Sequence, residues 1–247
     1  MNERQVSILD KVSSSSKINV SQLAQQFGVS QVTIRNDLKS LESQGMLERY
    51  HGGARVVSDD DIMKRMSVKY DVKLRIAKEA IKHISDGETV MIESGSTNAL
   101  LAKELTHKKD ITIITNSAFI ARFVRSSNNI KVSLIGGDYQ LDSEVTVGPL
   151  ARLCLNQFNV DKVFIGVDGF SQQAGFTCTN LMRAEVARAM AERANKVCVL
   201  TDSDKFSRVG VSSQFNAKEV YMLFTDSSIP KDSLAFLKKN NVEVHLV

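Results

Sequence analysis

Residues 18–54, INVSQLAQQFGVSQVTIRNDLKSLESQGMLERYHGGA, decide how the chain is built and what it can touch. Ser21 can cap a short helix whose apolar positions, Leu23, Ala24 and Phe27, recur at three- and four-residue spacing. Gly28 then reads as a left-handed stop, because glycine reverses the chain there without a Cβ penalty. Val29 packs into the corner, and Ser30 can cap a second helix running to about Gln44. On that helix Ile34, Leu38 and Leu41 fall at i, i+4 and i+7 and make a buried stripe. Ser30, Gln31, Thr33, Arg35, Asn36 and Lys39 are left to point outward, with polar and cationic groups that reach base edges and phosphates. Gly45 ends the helix, and residues 46–50 read as a strand entering the glycine turn His51-Gly52-Gly53, with Tyr50 at its edge. The pattern predicts a winged helix-turn-helix with residues 30–44 lying in a major groove. The competing reading, a three-helix bundle with no nucleic-acid partner, does not account for the wing.

The rest of the 247 residues suffices for a second, larger domain. A hydrophobic share of 43% and a charged share of 24% are those of an ordinary globular protein. Residues 1–57 hold seven Lys or Arg against five Asp or Glu, so DNA binding has to rest on where the charges sit and not on their sum. No stretch approaches the roughly 20 apolar residues of a membrane span, and the polar start at Met1–Gln5 does not read as a signal peptide. Cys154, Cys178 and Cys198 are odd in number and far apart, which predicts buried free thiols in a reducing cytoplasm and no metal site.

A first helix over residues 3–13, with Val6, Leu9 and Val12 inward, completes the small domain, and residues 17–20 can add a strand to the wing. Boundaries follow at 1–57 for the DNA-binding domain, 58–70 for an acidic linker and 71–247 for the remainder. An amphipathic helix is expected over 70–84, with Leu74, Ala77, Ile81 and Ile84 on one side and Lys73 elsewhere. Continuously apolar runs then recur at 89–92, 111–114, 131–135, 162–167, 197–200, 220–224 and 242–246. Helical stretches separate them at 98–105, 118–125, 150–157, 180–194 and 231–239. Strands of this kind are buried on both faces. The fold class is therefore an α+β winged helix-turn-helix joined to a larger α/β domain with a mostly parallel sheet.

In such a sheet ligands sit beyond the carboxyl ends of the strands. The first end, Ser94-Gly95-Ser96-Thr97-Asn98 after Glu93, places hydroxyls and a glycine before a helix, a geometry that cradles phosphate or simply caps the helix. Asn116-Ser117, Gly136-Gly137, Asp168-Gly169 and Asp202 with Lys205 repeat the theme at later ends. A carboxylate at Asp168 can accept two hydrogen bonds from a diol, and Lys205 can face a phosphate. Together they point to a small anionic polyol.

Val29, Ser30, Thr33, Ile34, Arg35, Asp37, Leu38, Leu41, Glu42, Gly45 and His51-Gly52-Gly53-Ala54 resemble the signature of the DeoR-type family of bacterial regulators. Asn36 departs from it, standing where a second basic residue is more usual. Landmarks of the same family's effector domain are resembled at Thr115-Asn116-Ser117, Gly136-Gly137, Val147-Gly148-Pro149, Asp168-Gly169, Glu185 and Ser203-Asp204-Lys205-Phe206. Glu93 and Gly95-Ser96-Thr97 replace the family's usual Asp and Gly-Thr-Thr run. The resemblance implies a domain related to ribose-5-phosphate isomerase that senses a phosphorylated sugar or sugar acid, with Glu185 among its ligand-binding residues. It implies a homo-oligomer, a dimer or tetramer, that binds operator double-stranded DNA and represses a carbohydrate-utilisation operon in the cytoplasm, with no cofactor. A rival reading makes the second domain an isomerase, with Lys205 as electrophile and Glu185 as base. Against it, the isomerase motif has an acid where this chain has Ser171.

Overall fold

The computed structural model describes residues 2–14, 17–43, 47–50, 53–55 and 60–247, without the side chains of residues 13, 14, 17, 48, 50 and 55. The chain divides into two compact units, Met1–Asp71 and Val72–Val247.

In the first unit the helices Glu3–Ser14, Val20–Phe27 and Gln31–Ser43 surround one core. Leu23, Ile34, Leu38 and Leu41 are fully buried, each removing apolar surface worth about 1.5–3 kcal/mol from water. The first helix turns Leu9 and Val12 inward as expected, joined by Gln5 and Ile8, while Val6 is only half-buried. The second helix is capped by Asn19 and not by Ser21. The Asn19 side chain accepts from the Gln22 backbone at 2.8 Å, and Gln22 accepts back from Asn19, a reciprocal box that satisfies two orphan N–H groups. Gly28 closes the same helix at φ 63°, where a side chain would be strained, and Val29 N–H bonds back to the Ala24 carbonyl. Asp37, a residue of the family signature, is buried against the first helix, accepting from Arg4 Nε at 2.6 Å and Gln5 Nε2 at 3.2 Å. It ties the Gln31–Ser43 helix to the Glu3–Ser14 helix.

Strands Lys17–Asn19, Gly53–Arg55 and Glu48–Tyr50 form an antiparallel sheet in that order, so the wing and its extra strand are present. Gln44, Gly45, His51, Gly52, Ser58 and Asp59 lie outside the described residues, and with them the expected helix stop, wing tip and start of the linker. Within the expected linker the structure has a helix, Ile62–Ser67, capped by Asp61 and packed on the Glu3–Ser14 helix. Ile62 and Met66 are buried, an apolar pair at i, i+4 that the acidic run before it obscured.

The helix Tyr70–Ala80 carries the chain from one unit into the other and tightens into a 3₁₀ turn at Ile81–His83. Lys73, expected on the polar side, is buried. Seven strands then build one wholly parallel sheet. Its order is Glu243–Leu246, Met222–Thr225, Ala194–Leu200, Val160–Gly166, Thr89–Ile92, Ile111–Thr115 and Ile130–Leu134. Alternate residues divide between the faces. Met91, Val163, Ile165, Val197, Val199 and Leu223 join one core with Ala151, Leu155, Val186, Met190 and Leu237. Val90, Ile92, Phe164, Cys198 and Phe224 are buried on the other face. The edge strands Ile130–Leu134 and Glu243–Leu246 are only half-covered. Two smaller antiparallel sheets were not expected: the hairpin Asp138–Gln140 with Val145–Val147, and Gly169–Ser171, Gly175–Cys178 and Ser212–Phe215.

Candidate functional site

The outward face of the Gln31–Ser43 helix carries Gln31, Arg35, Asn36 and Lys39 exposed, with Thr33 half-buried beside them. Ser30 caps this helix, its Oγ accepting from Thr33 N–H at 3.1 Å. Gln31 is steered from two sides: its Nε2 donates to Ser21 Oγ at 3.2 Å and its Oε1 accepts from Arg35 Nη2 at 3.1 Å. Ser21 therefore serves the recognition helix instead of starting its own. Arg35 is held as a fork over exposed surface, a geometry that suits bidentate contact with a guanine edge or a phosphate. Gly53 opens the wing strand, and Tyr50 ends the strand paired with it.

The sheet's chain path reverses at one place. From Thr89–Ile92 it runs outward through Ile111–Thr115 to Ile130–Leu134, then returns to the other flank of Thr89–Ile92 with Val160–Gly166 and runs outward again. The crevice of an open α/β sheet lies at such a reversal, here between residues 93–98 and 166–169. Glu93, buried, spans it: Oε2 accepts from Gly166 N–H at 3.2 Å and Oε1 from Ser94 Oγ at 2.6 Å. Ser94 N–H donates to Asn116 Oδ1 at 3.2 Å. Asn98, with no exposed surface, donates its Nδ2 to the carbonyls of Glu93, 2.9 Å, and Phe164, 3.2 Å, sewing the two strand ends together. Its Oδ1 is buried with no donor opposite it among the described residues.

Gly95, at φ 142°, starts the helix Ser96–Leu105 without any side-chain cap. The Ser96 and Thr97 hydroxyls make no hydrogen bond among the described residues, and the first-turn N–H groups have no intrahelical acceptor. An anion placed there would find donors that the protein leaves unused.

On the next strand ends, Asp168 Oδ2 accepts from Thr179 N–H at 2.9 Å and Thr179 Oγ1 at 2.8 Å. The nearby Cys178 thiol is pushed up to about 12, first by burial and then by the Asp168 carboxylate, with Glu93 and Arg183 also in electrostatic reach. Burial likewise pushes the Cys198 thiol up to about 12, so both are unreactive, and all three cysteines are free. Asp202 caps the turn Ser203–Ser207 through Asp204 N–H, and that turn lies against Gly169–Ser171, with the Phe206 and Phe170 rings 5.3 Å apart. Lys205 is half-buried on it, and its ammonium has no partner among the described residues.

Other expected residues turn out to serve the frame. Asn116 is fully buried, bonded to Ser94 and, through Nδ2, to the Thr146 carbonyl at 3.1 Å; Ser117 caps the helix Ala118–Phe123. Gly169 has no side chain because the Arg208 carbonyl occupies its place, and a Cβ on Gly137 would stand 2.5 Å from the Val147 carbonyl. Gly136 and Gly137 follow the edge strand, four strand spacings from the turn that holds Lys205. At about 4.8 Å per spacing that is roughly 19 Å, too far for one small ligand to touch both. Glu185 is exposed and lines a cleft of about 400 Å³ with Gly148, Pro149, Arg152, Val186 and Arg188, none of them from the reversal-point loops.

Three polar groups escaped the sequence reading. Arg183, a buried cation in the first turn of the helix Leu181–Ala191, lies near Cys178. Glu93 was read as part of the first strand end but not as the carboxylate that bridges the two ends. Asp226 receives Ser203 N–H at 2.7 Å and Ser228 N–H at 3.3 Å; burial alone would raise its carboxyl, but those hydrogen bonds outweigh it and hold it below the usual range. The signal for Arg183 was available, an arginine among residues that otherwise face the core.

A family model described as the DeoR C-terminal sensor domain matches residues 68–227, and one described as a DeoR-like helix-turn-helix domain matches residues 4–60. The chain belongs to the DeoR family. As a DeoR-family protein it is a DNA-binding transcriptional regulator. It is similar to the putative aga operon transcriptional repressor of Escherichia coli O157:H7, at 31% identity over 99% of this chain and 93% of that one. It is also similar to the HTH-type transcriptional regulator GolR of Listeria innocua serovar 6a, at 32% identity over 93% of this chain and 92% of that one. A D-ribose-5-phosphate isomerase structure, in complex with phospho-erythronic acid, aligns over 56% of this chain and 54% of its own, with TM-score 0.42 and 20% identity. That likeness is too distant to speak of activity. Among the described residues no helix is long and apolar enough to cross a membrane.

Proposed function

We propose that this DeoR-family regulator represses a carbohydrate-utilisation operon and releases its operator when a phosphorylated sugar or sugar acid enters the crevice between residues 93–98 and 166–169. The observation that carries the ligand reading is the uncapped start of the Ser96–Leu105 helix, where two hydroxyls and the first-turn N–H groups have no protein partner. Lys205 supplies a cation two strand spacings from that helix start, and Asp168 supplies an acceptor for sugar hydroxyls. On DNA, Ser30, Gln31, Thr33, Arg35 and Asn36 meet bases and phosphates, Lys39 a phosphate, and the wing the adjacent backbone. The repressor named among its relatives supports the sign. Leu150, Leu153 and Leu181, exposed on the sensor unit, supply apolar surface for a homodimer or tetramer that pairs half-sites. The protein works in the cytoplasm, where its operator is. Residues 1–57 form the reading head and 71–247 the sensor, with 58–70 between them.

Catalysis is not part of the proposal. Ser171 stands where an isomerase needs an acid, and Glu185, the candidate base, faces an open cleft.

A thermal-shift series with sugar phosphates, sugar-acid phosphates and the matching free sugars tests the ligand class. A ligand that binds only the folded protein raises the midpoint by mass action, and the expected hit loses its effect without its phosphate. Shifts from free sugars alone, or from none of the panel, would overturn the phosphate cradle. Lys205→Ala is expected to leave DNA affinity unchanged and to weaken the hit at least about tenfold, the scale of one lost charge-assisted hydrogen bond. An unaltered ligand titration would remove Lys205 from the crevice.

A further inference from the structure

On the sheet face that carries Phe224, away from the crevice loops, one carboxylate and two imidazoles converge. Glu79, in the last turn of the Tyr70–Ala80 helix, and His83, in the 3₁₀ turn that follows, are four residues apart and so share a side. His245 comes from the edge strand Glu243–Leu246, where it is in register with Phe224. One donor atom from each of the three lies within 4.8 Å of the other two, and all three residues are half-buried.

The rings are held in place. His245 stacks on Phe224 with ring centroids 4.8 Å apart and an interplanar angle of 14°. His83 meets the two rings edge-on, at 5.2 Å from Phe224 and 4.5 Å from His245. An aromatic floor that fixes two imidazoles in advance lowers the entropy lost when both ligate one ion. The Glu243 carboxylate stands 2.9 Å from His245 Nε2 without the alignment of a hydrogen bond, so that buried nitrogen has no hydrogen-bond partner among the described residues. Lys82 pairs with Glu79 Oε2 at 2.5 Å, so an incoming cation must take the other oxygen or displace that ammonium.

We propose that Glu79, His83 and His245 form a binding site for one divalent transition-metal ion. Two imidazoles and one carboxylate suit Zn²⁺, whose tetrahedral preference leaves a fourth position for water, and they do not suit Mg²⁺ or Ca²⁺, which take oxygen ligands. The ion ties the end of the helix that joins the two units to the last strand of the sensor sheet. The site owes nothing to the sugar-phosphate reading and stands if that reading fails.

The test is calorimetric titration of chelator-treated full-length protein with Zn²⁺ alone, beside the variants Glu79→Gln and His245→Gln. Wild type is expected to bind one equivalent, and each variant to bind at least tenfold more weakly. Co²⁺ added in place of Zn²⁺ is expected to give the visible d–d absorption of a tetrahedral site in wild type and to lose it in both variants. Each variant's unliganded melting point, read beforehand, separates a lost ligand from a lost fold, and His83→Gln stands in for a variant that fails to fold. No binding by wild type would overturn the proposal. So would undiminished binding by the folded variants, which would place the ion on His51, His107 or the cysteines.

Discussion

Arg35→Ala is expected to weaken operator binding roughly 5- to 150-fold, the equivalent of about 1–3 kcal/mol, while the protein melts as the wild type does. Arg35 is exposed on the recognition helix, so its removal opens no cavity. Among the described residues its one hydrogen-bond partner is Gln31 Oε1, an exposed bond that contributes little to stability. What is lost is a forked cation aimed away from the protein. If Arg35 reads a base, discrimination at one operator position relaxes; if it holds a phosphate, affinity falls across all sequences and the salt dependence flattens by about one unit. Retardation titrations at two salt concentrations separate these outcomes. Unchanged affinity would show that the outward face of Gln31–Ser43 does not enter the groove.

Asn98→Ala is expected to cost about 1–3 kcal/mol, lowering the sensor unit's melting point by several degrees, and to abolish the ligand-induced shift. The Asn98 amide is fully buried; it donates to the Glu93 carbonyl and is a second donor to the Phe164 carbonyl, which also accepts from Glu93 N–H at 2.9 Å. Alanine leaves the Glu93 carbonyl facing a small void, at about 1–3 kcal/mol, while the Phe164 carbonyl keeps its bond from Glu93 N–H. The same substitution frees the loop that starts the Ser96–Leu105 helix, so the crevice loses its shape. Thermal denaturation with and without ligand checks both parts. A variant that melted normally and still bound would show that Asn98 does not frame the crevice.

How much of this was legible beforehand depends on the range of the forces involved. The five inner strands of the parallel sheet announced themselves because burial on both faces demands continuous apolar runs, and the helix-turn-helix did so through its stripe and its glycine stop. The strands Gly169–Ser171, Gly175–Cys178 and Ser212–Phe215 did not, being three or four residues long and too short to show a period. Asn19 outcompeted Ser21 as a cap because Gln22 returns its hydrogen bond, a pattern present in the sequence as Asn-x-x-Gln. The strand-end residues were found as a set, but their division of labour was not. Whether Asn116 faces a ligand or the Thr146 carbonyl depends on a contact 30 residues away, and whether Gly169 is there for a ligand or for the Arg208 carbonyl depends on one 39 positions on. Pairwise geometry of that range is set by tertiary packing.

The central claim is that occupancy of one crevice changes the grip of another surface on DNA, which requires a ligand that favours one state of the protein over the other. The direct test is retardation of an operator duplex, selected from a random pool by the full-length protein, titrated with the sugar phosphate that gives the largest thermal shift. The account predicts that the phosphorylated compound releases the duplex, that its dephosphorylated form does not, and that Lys205→Ala protein stays bound in both. Retardation that is indifferent to a ligand shown to bind would contradict it.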